Sequence, residues 1–104
     1  MKIAILTNPS TMDKCTGRGC LRAFYQRQDA FEAYDDEADL IGFTHAGGDL
    51  NKKIQKLKDN GVNCIHLSTC MRARYENYKP LMDELSKDFK VVGYTHGSKV
   101  RKSK

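Results

Sequence analysis

Three of the four cysteines and all three histidines of this 104-residue chain stand where metal or nucleophilic chemistry could use them. Cys15 and Cys20 are separated by four residues, the wide end of zinc-knuckle spacing, and His66 and Cys70 by three. Thiolate and imidazole together suit zinc better than magnesium or calcium, which prefer oxygen. The same thiols admit a second chemistry, redox or nucleophilic. Cys20 lies near a predicted helix start and Cys70 beside Arg72 and Arg74, settings that raise the thiolate fraction. Small-phosphatase chemistry does not fit, because it needs an arginine six residues beyond the nucleophile, and those positions hold Leu21 after Cys15 and Glu76 after Cys70. A third chemistry is anion or nucleotide binding, with Gly47 and Gly48 opening a helix whose amides face a ligand. Cys64, inside Val62-Asn63-Cys64-Ile65, reads as a small buried hydrophobe.

Strands alternating with helices must position these groups. Lys2 to Thr7 is a compact apolar strand ended by Asn8-Pro9-Ser10, and a loop through Cys15, Gly17 and Gly19 leads into a helix whose stripe is Leu21, Phe24, Gln28 and Phe31. After an acidic connection (Asp35, Asp36, Glu37), Asp39 to Thr44 is a second strand. Asp49 can cap a helix carrying Leu50, Ile54 and Leu57, which Gly61 stops. Val62 to Leu67 is a third strand, followed by a solvated loop holding Arg72 and Arg74. Asn77 and Pro80 open a last helix with Leu81, Met82, Leu85 and Phe89 inward, and Val91 to Thr95 is a fourth strand.

This alternation predicts a three-layer α/β domain with a four-stranded parallel sheet in the order 2-1-3-4, flavodoxin- or Rossmann-like, spanning residues 1–98. The phrase IGFTHAGG (41–48) returns as VGYTHGS (92–98), so both Thr-His pairs are expected at the carboxyl edge, where open α/β sheets bind ligands. Gly42 and Gly93 would let a helix pack close to the sheet. In the order 2-1-3-4 the two histidines sit three strand spacings apart, roughly 14 Å. They are therefore not expected to be a symmetric ligand pair.

Charge and composition exclude several classes. Of 18 Lys and Arg, Lys99, Arg101, Lys102 and Lys104 fall in a C-terminal tail (99–104), which leaves 14 against 13 acidic residues in the rest. The net charge of +5 is thus mostly a tail, and nucleic acid is not the expected partner. No apolar run is long enough to span a membrane, and the start Met1-Lys2-Ile3-Ala4-Ile5-Leu6 is too short for a signal segment. The expected address is the cytoplasm, where thiols stay reduced.

Order and spacing over nearly the whole chain resemble the CGGC-domain family, small prokaryotic α/β domains. The residues that carry the resemblance are the Cys15–Cys20 segment, the stretch ending in AFEAY, the pattern GF-x-x-x-GG-x-x-x-KK, the run IHLSTC and the terminal GYTHG. Zinc binding without an established activity is what this resemblance implies. The ligands it implies are Cys15, Cys20, His66, Cys70 and His96. Where the family reads Cys-Gly-Gly-Cys this chain has Ala46-Gly47-Gly48-Asp49, so His45 and Asp49 become substitute ligands. The expected partner is a metal ion or small anionic ligand, and no residue is assigned a catalytic role.

Overall fold

The computed structural model describes residues 1–99, so the basic tail lies outside the described residues apart from Lys99. Strand β1 (Lys2–Thr7) is buried from Ile3 to Thr7 on both sides of its pleat, the pattern of a central parallel strand. β2 (Asp39–His45) and β3 (Cys64–Leu67) pair with it on either side, and β4 (Lys90–Val92) pairs with β3. The result is a four-stranded, all-parallel sheet in the order β2-β1-β3-β4, as the alternation predicted. One extra residue interrupts the β1–β2 ladder: Ile3 pairs with Leu40 and Ala4 with Gly42, which throws Ile41 outward as a bulge.

Helix α1 (Arg18–Gln26) covers one face, with Cys20, Ala23 and Phe24 packed on Ile3, Ile5 and Cys64. Helices α2 (Leu50–Asp59), α3 (Thr69–Arg74) and α4 (Tyr78–Leu85) cover the other, burying Leu57, Met71 and Leu85 against Ala4, Leu6, Ile65 and Leu67. Three layers follow from this alternation of apolar faces. α2 begins as its sequence predicts: the Asp49 carboxylate accepts the Lys52 amide at 3.1 Å. It ends at Gly61, whose φ of +82° lies in the left-handed region.

Several boundaries differ from the expected ones; β2 runs on to His45, and α4 ends at Leu85, before Phe89. α1 does not run on to Phe31, because Arg27 turns left-handed (φ 53°) and its amide and that of Gln28 close back on Phe24 and Ala23. Phe31 arrives instead in a short 3-10 turn (Asp29–Phe31) and is buried beside Phe24. β3 starts two residues later, at Cys64. The segment after it is helix α3 rather than loop, started by Ser68, whose hydroxyl accepts the Met71 amide at 3.2 Å. β4 stops at Val92 rather than Thr95: with β3 turning into α3, residues beyond Val92 have no strand to pair with, and the Gly93 carbonyl accepts the Tyr78 hydroxyl at 2.6 Å instead.

Candidate functional site

The connection leaving β1 crosses one face through α1, whereas the one leaving β3 crosses the other through α3 and α4. Neighbouring parallel strands whose connections diverge leave a crevice at their carboxyl ends. A pocket of about 350 Å³ lies there. Thr7 at the end of β1, Cys15 and Cys20 from the segment after it, Cys70 and Arg74 from α3, and His96 from beyond β4 all line it.

Each of these side chains is held differently. Cys20, in the first turn of α1, is buried with its Sγ 3.2 Å from Thr95 Oγ1. Burial pushes its thiol up; the Thr95 hydrogen bond opposes this, and neighbouring Cys70 and Cys15 add to it. The helix start therefore does not make Cys20 a thiolate, as its place in the sequence suggested, because removal from water outweighs the dipole. Cys70, half-buried, has its Sγ 2.8 Å from Ser68 Oγ. Cys15 is exposed, and its sulfur accepts the Gly17 amide at 3.3 Å.

Thr69 fixes the strand of chain that brings His96. Its hydroxyl accepts the amides of Thr95 (3.3 Å) and His96 (3.2 Å) and donates to the His96 carbonyl at 2.6 Å. The carboxylate of Asp29, itself left-handed at φ 54°, accepts the Gly97 amide at 3.0 Å. Gly19 lies close beneath the imidazole: a Cβ there would stand 3.0 Å from His96 Nε2 and press the ring aside.

The other sequence candidates are elsewhere. His66 is fully buried under the sheet, stacked on Phe31 at 4.2 Å between centroids. Its Nδ1 donates to the Tyr94 carbonyl at 3.0 Å, so Nε2 accepts the Tyr34 hydroxyl at 2.8 Å and neither nitrogen is free. Burial holds it neutral, with a pKa lowered to about 4; the Tyr94 bond works against this and Lys90 adds to it. His45 ends β2 on the surface, where its Nδ1 accepts the Gly47 amide at 3.0 Å. Gly47 therefore spends its amide on its own turn, and Asp49 spends a carboxylate oxygen on the α2 cap. Cys64 is in the core as expected. The structure thus brings together Cys15, Cys20, Cys70 and His96, and does not bring His45, His66, Asp49, Gly47 or Gly48 to them. Among the described residues no group of three or more His, Cys, Asp or Glu converges closely enough to hold a metal ion.

Arg74 stands near Cys70, and Thr95 at the carboxyl edge, as expected, but the hydrogen bonds by which Thr69 and Thr95 hold the site together were not foreseen. Nothing local distinguishes a hydroxyl that brackets a loop from one facing water.

The family model of the CGGC domain matches residues 2–96. The chain belongs to the CGGC domain family. Neither a curated protein nor a solved structure matches it. In this CGGC domain residues 46–49 serve the fold: Ala46 fills the core beside Ala4 and Leu6, and Asp49 starts α2. No helix among its described residues is long and apolar enough to cross a membrane.

Proposed function

We propose that this CGGC domain binds zinc at the thiol pocket, with Cys15, Cys20, Cys70 and His96 as donors. Family membership points to metal binding in general, and one observation supports this set: donors from three separate stretches of chain line one crevice, while Cys64, fully buried at the start of β3, does not line it. Three thiols and an imidazole make a closed structural zinc set, which contributes folding energy and leaves no open position for catalysis. The donor chemistry fits. Convergence does not exist in the described arrangement, and Cys15, exposed and outside any helix or strand, is the donor with room to move. Because burial holds the Cys20 thiol protonated, metal uptake releases a proton and affinity rises with pH. Four free thiols suit a reducing, cytoplasmic address.

Metal analysis of protein purified without chelator and without a histidine tag tests the reading. Stoichiometric zinc is expected, lost in Cys20→Ser and retained in Cys64→Ala. Equal retention by the two variants removes the metal site from this pocket.

The contact between Ser68 Oγ and Cys70 Sγ at 2.8 Å favours one second reading, thiol chemistry at Cys70. If the protein carries no metal, Cys70 should alkylate faster than Cys15, Cys20 and Cys64 under the same conditions. Uniform, ordinary reactivity at all four cysteines rejects it.

A further inference from the structure

Beside the thiol pocket, and sharing Thr11, Cys15 and Arg74 with it, opens a recess of about 440 Å³ lined also by Ser10 and Lys14. No acidic side chain among the described residues lines it. Among the described residues neither the Lys14 nor the Arg74 side chain has an ion-pair or hydrogen-bond partner. The hydroxyls are oriented from behind. Asn8 is buried, and its Nδ2 donates to Ser10 Oγ at 3.0 Å and to Thr11 Oγ1 at 2.9 Å. An amide that fills an acceptor position on each hydroxyl leaves both O–H protons to be given away. The recess therefore presents an ammonium, a guanidinium and two hydroxyl donors.

We infer that this recess binds a tetrahedral oxyanion of the phosphate class, free or as the head of a small ester. Arg74 and Lys14 supply the charge, and the Ser10 and Thr11 hydroxyls supply direction. A surface cluster of cations alone would take any anion; a buried amide that fills an acceptor position on two neighbouring hydroxyls and leaves their protons available is a built feature. The site is distinct from the glycine pair at residues 47 and 48, whose first amide closes on His45. Through the shared wall at Cys15 the organic part of an ester would extend over the thiol pocket. The inference needs no metal and stands apart from the zinc reading.

The test uses the full chain with its thiols reduced, titrated with inorganic phosphate and with phenyl phosphate. Backbone amide NMR shifts are followed in metal-free and in zinc-loaded protein. Saturable shifts at Thr11, Lys14 and Arg74 are expected in both forms, weakening as salt is added. Arg74→Gln should weaken binding about tenfold or more, and the Ser10→Ala/Thr11→Val double variant severalfold. Arg22→Gln, an exposed cation on α1 outside the recess, should leave it unchanged. Tighter binding of the ester than of phosphate supports an ester as the ligand, and equal affinity supports the free anion. No saturation by about 10 mM phosphate, an equal loss in Arg22→Gln, or binding in the zinc-loaded form alone overturns the inference. The last outcome would put the anion on the metal.

Discussion

The two Thr-His phrases of this chain begin alike and end in different surroundings. At the end of β2 the chain closes on itself: the Gly47 amide bonds to His45 Nδ1, Lys53 Nζ donates to the His45 carbonyl at 2.9 Å, and the imidazole is exposed. Beyond β4 nothing is local. Thr95 is fully buried and bonds to Cys20, Thr69 and, through its carbonyl, the Ala30 amide; the Tyr94 carbonyl is held by His66. The common element is the glycine. A Cβ at Gly42 would come within 2.6 Å of Leu57 Cδ2 on α2, and one at Gly93 would strike Tyr78 Oη on α4. Repetition in the sequence thus records a shared need, close packing of a helix on the sheet, while the histidines that follow have unlike roles.

The largest effect that separates the two segments is expected in acid. The folded chain keeps His66 neutral down to about pH 4, whereas the unfolded chain protonates it near 6.5. Stability is therefore complete above pH 6.5 and falls as pH drops toward 4, by about 3 kcal/mol for a shift of this size. Amide protection, corrected for the pH dependence of intrinsic exchange, should fall further at Thr95 and His96 over this window than at Thr44 and His45; parallel behaviour would break the contrast. Replacing His66 with Gln should flatten the pH dependence of stability.

Overpacking comes next. Gly93→Ala and Gly42→Ala should each cost about 1–3 kcal/mol in denaturant unfolding, since both meet side chains already in place. A neutral result at either position would deny the glycines their common purpose.

The threonines should differ from each other. Thr95→Val leaves buried partners without their hydrogen bond and should cost about 1–2 kcal/mol. Thr44→Val removes a side chain with no hydrogen bond among the described residues and should stay within about 0.5 kcal/mol. Equal costs would mean that the second segment is no more tightly anchored than the first.

The last contrast is read in zinc binding rather than in stability. His96→Ala should weaken zinc binding by about tenfold or more, and His45→Ala by less than about twofold. A greater loss at His45 would move the site to the end of β2.

Much of the fold was legible before any coordinates. Ile3 to Leu6, with no polar break, could only be a central strand, and Asp49 and Gly61 marked both ends of α2. α3 was not legible, because six residues are too few to show an apolar stripe and Met71 is its one buried residue. His66 was grouped with the rim for its nearness to the end of β3. Strand alternation puts it instead on the face of Cys64, below the sheet. The recess beside the thiol pocket was not legible either: Asn8, Ser10 and Thr11 are neighbours in the chain, but Arg74 joins them only when β1 and β3 lie side by side.

What the sequence alone determined are the elements and their order, through periodicity, caps and turn residues that act within a few positions along the chain. It also set which thiols lie near strand ends. Tertiary structure decided which imidazole reaches them and which is shut in dry and neutral. Those outcomes rest on contacts between residues far apart in the chain, such as Cys20 with Thr95, 75 positions away, and Thr69 with His96, 27 away. A side chain's protonation and direction are set by what removes it from water and by the partner it finds there, and neither is written in the residues beside it.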